Sequence, residues 1–187
     1  MKKVIVSLSA AAIVMLSAFA PAASSFVSKA GHVKFFSHTP AEDISANNYK
    51  VTSKVNTENG EVIFSVPMQS FEFDKSAMQK HYNSPKFLDT KQFPKAKFKG
   101  MISNLKDLDF SKDGSNTAKI NGEMTMHGVS QKIEALATLT VKGETLTLES
   151  TFDLTLADYE ISFVDGKPST NIAKVVEVTV KAEHSKE

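Results

Sequence analysis

The sequence predicts an all-β protein of about eight antiparallel strands with one short helical insert. Three observations predict it. Apolar residues recur at every second position along most of the chain, the period of a half-buried strand. Gly, Asn, Asp and Pro punctuate the chain at short intervals, and helical periodicity is nearly absent.

The N-terminus stands apart from this pattern. Lys2 and Lys3 precede an apolar run from Val4 to Ala20, interrupted only by Ser7, Ser9 and Ser17, and small residues follow from Ala20 to Ser24. This is the pattern of a secretory signal peptide. Ala20-Pro21-Ala22 forms a small-x-small site, so cleavage is expected near Ala22/Ala23, with a signal peptide over 1–22 and one domain over 23–187. A run of about 17 residues containing three serines is short for a membrane span, which argues against an uncleaved anchor. No Cys is present to carry an acyl anchor, and the product is expected to be periplasmic or secreted.

Strands are expected at His32 to Phe36, Tyr49 to Val55, Val62 to Val66, Ala96 to Ile102, Ala118 to Met126, Ile133 to Val141, Thr145 to Leu156 and Val176 to Ala182. The clearest is Thr145 to Leu156, where Leu146, Leu148, Phe152, Leu154 and Leu156 share one face and Ser150 breaks the row. Ile133 to Val141 places its apolar residues on odd positions, and Lys142-Gly143-Glu144 joins the two strands as a tight hairpin. Other turns are marked by Glu58-Asn59-Gly60, Asp113-Gly114-Ser115 and Asp165-Gly166-Lys167-Pro168. Asp74 is positioned to cap a helix from Lys75 to Lys80, which would set Ala77 and Met78 against the sheet and end before Asn83-Ser84-Pro85. Periodicity does not choose between a two-sheet sandwich and a closed barrel.

Composition removes several functions. Without Cys there are no disulfides, thiolate metal sites or Cys nucleophiles. A formal charge of +1, or −1 once Lys2 and Lys3 are removed, gives no nucleic-acid footprint. His32, His38, His81, His127 and His184 show no ligand spacing, so no metal and no cofactor is expected. The chain has no nucleophile elbow, phosphate loop or dinucleotide fingerprint. Asp107, Asp109, Asp153 and Asp158 read as solvated positions rather than paired catalytic carboxylates, and no catalytic residue is assigned. His127 precedes Gly128 in a turn and is expected to bond to turn backbone, whereas His81 is expected to meet the last carbonyls of the short helix. Lys95, Lys97 and Lys99 read as the solvent side of a strand, a decoration that would protect an edge.

Two segments resemble one family. His81-Tyr82-Asn83-Ser84-Pro85-Lys86-Phe87-Leu88-Asp89-Thr90-Lys91-Gln92-Phe93-Pro94-Lys95-Ala96-Lys97-Phe98 is followed by Asn121-Gly122-Glu123-Met124-Thr125-Met126-His127-Gly128-Val129-Ser130-Gln131-Lys132-Ile133. Together they resemble the YceI-like family, and Phe152 to Ile161 is similar to its penultimate strand and the loop after it. The resemblance runs from about Gly31 to Glu183. The chain departs from the family pattern at Leu156-Ala157, where relatives carry Arg, and at Lys174-Val175, where Gly-Asp is common.

The resemblance implies an eight-stranded antiparallel lipocalin-like β-barrel whose lumen takes a polyisoprenoid, an isoprenoid quinone or another long-chain amphipathic lipid. It also implies transient membrane contact for loading, and a homodimer in some members. The apolar faces supply candidate ligand-binding residues: Phe64, Phe71, Phe73, Phe98, Ile120, Met124, Met126, Leu148, Phe152 and Leu154. Each is equally suited to an ordinary core. Phe87, Leu88 and Phe93 precede a strand and would form either a lid or a permanent plug. A binding protein is therefore expected, not an enzyme. The alternatives are a filled barrel serving as an envelope stress or interaction protein, and a lipid-modifying enzyme.

Overall fold

The computed structural model describes residues 25–161 and 173–187. The expected signal peptide and the turn at Asp165–Pro168 lie outside the described residues. The strands are β1 (Ser25–His38), β2 (Asp43–Asn56), β3 (Glu61–Pro67), β4 (Glu72–Phe73), β5 (Lys95–Ile102), β6 (Gly114–Met126), β7 (Val129–Lys142), β8 (Thr145–Thr155) and β9 (Val175–Lys186). All neighbours run antiparallel in the order β1-β9-β8-β7-β6-β5-β3-β2, and β1 pairs with β2 to close the ring. The fold is thus an eight-stranded barrel, with β4 as one extra, two-residue strand. β5 pairs with both β3 and β6, so its lysines decorate an interior strand of the sheet and not the edge for which they would be suited.

β1 and β2 are much longer than the sequence pattern predicts, and the reason is local. Their pairing shifts register between Ser28 and Gly31 and again between Gly31 and Val33. Each irregularity inserts unpaired backbone and switches which parity faces inward. Phe26 and Ser28 are buried at even positions, Val33 at an odd one, so the alternation never runs long enough to be read.

The ring is also adjusted beside β2. β3 pairs with β2 over Thr52–Val55, whereas β4 takes the neighbouring place at Ala46–Asn47. Between these two pairings sits Asn48, fully buried, which donates Nδ2–H to the Pro67 carbonyl at 2.9 Å and accepts the Lys50 amide at 3.0 Å. β3 and β5 stay together through the pair Pro67↔Lys95, so residues 68–94 leave the barrel and return to it at one rung.

That insert carries the one α-helix of the described residues, α1 (Ser76–Asn83). Its start lies at Lys75 without a side-chain cap, not at the expected Asp74, and it runs three residues past Lys80. Gln79 Nε2–H donates to the Phe71 carbonyl (2.7 Å) and Thr90 Oγ–H to Asn83 Oδ1 (2.7 Å), while Gln69 Nε2–H reaches the Thr90 carbonyl (3.1 Å). Thr90 is fully buried. Thr90 of the Leu88-Asp89-Thr90 motif therefore ties the insert to itself.

The two ends of the barrel differ. At one end Phe26, Val51, Val55, Leu139, Val141 and Leu146 fill the interior, with Leu105, Leu108 and Phe110 from the β5–β6 connection packed against them. The insert, the β6–β7 turn and residues 156–161 gather at the other end.

Candidate functional site

Toward the insert end the barrel interior opens into a cavity of about 460 Å³. That volume lies within the range of about 300–1,000 Å³ common for small-molecule sites. Alternate residues of seven strands face it, among them Val33 and Phe35 from β1, Phe64 and Val66 from β3, Ala96 and Phe98 from β5, and Val176, Val178 and Val180 from β9. All ten sequence candidates, Phe64, Phe71, Phe73, Phe98, Ile120, Met124, Met126, Leu148, Phe152 and Leu154, lie on its wall.

Its lower wall is shaped by two glycines. Gly100 and Gly122 are cross-strand partners, and the Phe98 ring lies over both. A Cβ on Gly122 would fall 2.5 Å from Phe98 Cζ and 2.6 Å from the Lys99 carbonyl oxygen. The absence of side chains here lets a ring lie flat along the wall instead of projecting across the lumen.

The insert forms the upper wall. Ala77, Met78, His81 and Tyr82 of α1, with Phe87 and Leu88, line the cavity. Ala77 and His81 remain exposed and Met78 is half-buried, which places an opening beside the helix, where Ala77 and Met78 were expected to lie against the sheet. Tyr82 packs among Phe35, Phe71 and Phe73 with centroid distances of 6.0, 5.7 and 5.0 Å. Burial pushes its phenol pKa upward, so the ring stays neutral at any physiological pH. At the rim, Glu42 of the β1–β2 turn accepts a hydrogen bond from Lys75 Nζ at 2.7 Å and links that turn to the start of α1.

The remaining sequence candidates take structural places. His81 sets its ring edge-on to Phe87 at 5.5 Å, and the Ser84 amide donates to the His81 carbonyl at the helix end. His127 and Gly128 form a two-residue hairpin turn with φ of 53° and 80°. The His127 Nδ1–H donates to the Tyr159 carbonyl at 3.1 Å, a loop partner and not its own turn. Phe93 packs on the His127 ring at 4.7 Å and touches the Gly128 position, outside the cavity. Asp109 accepts hydrogen bonds from the Ser111 hydroxyl and amide, which, with Lys112, hold its carboxyl down at about 2. It stabilises an exposed loop far from the lumen. Among the described residues no three His, Asp or Glu side chains gather as a metal site.

Sequence reasoning missed about two-thirds of the wall. The β9 valines carried a usable signal, period-two Val176-Val178-Val180, whereas Val33 and Phe35 were hidden by the bulges of β1.

With that geometry in place, comparison with known proteins identifies the family. The sequence pattern of the YceI-like domain matches residues 18–184. The chain belongs to the YceI-like family. Curated relatives include a UPF0312 protein of Pseudomonas putida, 37% identical over 65 residues, which is 35% of this chain and 30% of that protein. A UPF0312 protein of Pseudomonas fluorescens is 30% identical over 87 residues, 46% of this chain and 43% of the relative. The aligned region thus spans less than half the length of these relatives. Among solved structures, a polyisoprenoid-binding domain from Saccharophagus degradans implicated in plant cell wall breakdown superimposes with a TM-score of 0.73 at 10% identity, covering 88% of this chain and 99% of that one. Burkholderia cenocepacia BcnA gives 0.69 at 15% identity, over 82% and 95%. At such identities the likeness is one of fold, and it agrees with the closed eight-stranded barrel seen here.

Proposed function

We propose that this protein is an exported carrier that sequesters one amphipathic, isoprenoid-type lipid in its barrel. The observation that carries this reading is the cavity itself: about 460 Å³, walled almost wholly by Phe, Val, Leu, Ile and Met, and open beside α1. At about 30 Å³ per non-hydrogen atom, the share a water takes in the liquid, it holds about fifteen atoms, or about three isoprene units. Burying about fifteen carbons at about 0.8 kcal/mol each is worth about 12 kcal/mol before the loss of ligand freedom. With the lowest cost of about 4 kcal/mol the balance corresponds to about micromolar binding, the tightest these terms allow. A tail longer than three units extends through the opening.

The fold neighbour from Saccharophagus degradans is a polyisoprenoid-binding domain, which supports the choice of ligand class. The basic, apolar, small-residue pattern of residues 1–22 supports export to the periplasm or beyond. Loading then requires transient contact with a membrane, because such lipids have negligible free concentration in water.

Native mass spectrometry with organic extraction, on protein purified from its own host, tests the reading. A stoichiometric prenyl lipid or quinone adduct is expected. An apo mass that also resists loading with long-chain isoprenoids would sink it and favour a filled, interaction-type barrel.

A further inference from the structure

The cavity wall has very little polar chemistry, and its serines and its carboxylate are engaged. Ser37 Oγ accepts the Ala173 amide at 3.1 Å, Ser150 Oγ–H donates to the Leu136 carbonyl at 2.7 Å, and Glu42 is held by Lys75. His81 is set edge-on to Phe87. Tyr82 differs. It is 6% exposed and lies on the wall, yet its hydroxyl makes no hydrogen bond to any described residue, and burial alone acts on its phenol. Its oxygen is not enclosed by protein as that of Tyr159 is, and a phenol O–H on a cavity wall ordinarily finds a partner.

Charge supplies a second, independent observation. All 22 cationic side chains are lysines and the chain has no arginine, so no guanidinium fork is available for a phosphate. No lysine of the described residues lines the cavity, and the one carboxylate that does, Glu42, would repel an anion.

We infer that Tyr82 is the polar anchor of the lumen, donating a hydrogen bond to a neutral oxygen of the ligand, so that the cavity takes isoprenoids with an uncharged alcohol, ether or carbonyl head in preference to prenyl diphosphates. This rests on the carrier reading and adds to it the residue that selects the head group. The phenol is held by three aromatic rings, so it loses little freedom when the ligand arrives.

The test uses three probes with the same fifteen-carbon tail, farnesol, farnesyl diphosphate and farnesene, titrated calorimetrically into the delipidated protein and its Tyr82→Phe variant. Farnesol is expected to bind more tightly than farnesyl diphosphate. Tyr82→Phe is expected to weaken farnesol by about two- to tenfold, the worth of one hydrogen bond, and to leave farnesene unchanged. Equal weakening of farnesene, no weakening of farnesol, or tighter binding of the diphosphate overturns the inference while the carrier reading stands. If none of the three binds, both fall together. Farnesyl methyl ether, which accepts but cannot donate, tests the wild type without any substitution: it should match farnesol, and binding no tighter than farnesene overturns donation by Tyr82.

Discussion

Ser53 and His184, 131 residues apart in the chain, meet inside the closed end of the barrel with Oγ 2.8 Å from Nε2. The other ring nitrogen, Nδ1, lies 2.9 Å from the Leu146 carbonyl, which can only accept, so Nδ1 carries the proton and Nε2 takes the Ser53 hydrogen. A serine bonded to a histidine in this way resembles a nucleophile and its base. Here both are buried, at 5% and 0% exposure, and neither faces the cavity. The pair satisfies polar groups within an apolar plug.

Desolvation lowers the His184 pKa, with the Leu146 and Ala182 backbone contacts opposing it only in part. The unfolded chain therefore binds a proton more readily than the native one, and stability is full above the unfolded value of about 6.5 and falls as pH drops from there toward the lower native value. Urea unfolding between about pH 7 and pH 5 should show this loss, and His184→Gln should flatten it. A variant profile parallel to wild type would assign the loss to another group.

Gly122→Ala should destabilise the barrel by about 1–3 kcal/mol, since the new methyl meets backbone at Lys99 and Gly100 as well as the Phe98 ring. The displaced ring would also project into the lumen. Chemical denaturation and lipid loading read the two effects separately; a variant as stable as wild type would show that the β5–β6 pair adjusts freely.

Ala135→Phe fills the cavity from the β7 side, opposite its partner Ile120. Ala135 is half-buried and borders open volume, so the variant should keep its fold within about 1 kcal/mol and lose lipid loading. Undiminished loading would place the ligand elsewhere. Phe152→Asp should abolish loading by charge where Ala135→Phe does so by volume.

Tyr159 is 1% exposed, and its hydroxyl is enclosed without a hydrogen-bond partner. Burial, with the Asp158 charge beside it, pushes the phenol up to about 12. Tyr159→Phe removes an unsatisfied group and should leave stability unchanged or raise it by about 1 kcal/mol in a thermal melt. A drop of that size would reveal a partner for the oxygen.

The sequence made the barrel strands legible wherever pairing is regular. β6, β7 and β8 run without bulges, and Leu146, Leu148 and Leu154 announce their inward face at once. β1 and β2 were half read because their register shifts switch the inward parity between Phe26 and Val33 in β1 and between Ala46 and Val51 in β2. Helix α1 was foreseen but shifted, since neither Asp74 nor any other side chain caps it. Tyr82 lies within the family-like segment 81–98 and carries no local sign of a role. Its importance comes from the three Phe residues packed around it from β1, β4 and the turn before β4, a meeting that no local pattern encodes.

The return of the insert to its own starting rung, Pro67 opposite Lys95, keeps β3 and β5 paired whatever lies between them, and the insert in turn lends β4 to the wall beside β2. Residues 68–94 behave as a graft: the register between β3 and β5 is indifferent to their length, while the upper lumen and its opening belong largely to them. A lineage can therefore inherit the vessel unchanged and diversify its stopper, and an engineer can exchange that one segment to retune which molecule is held.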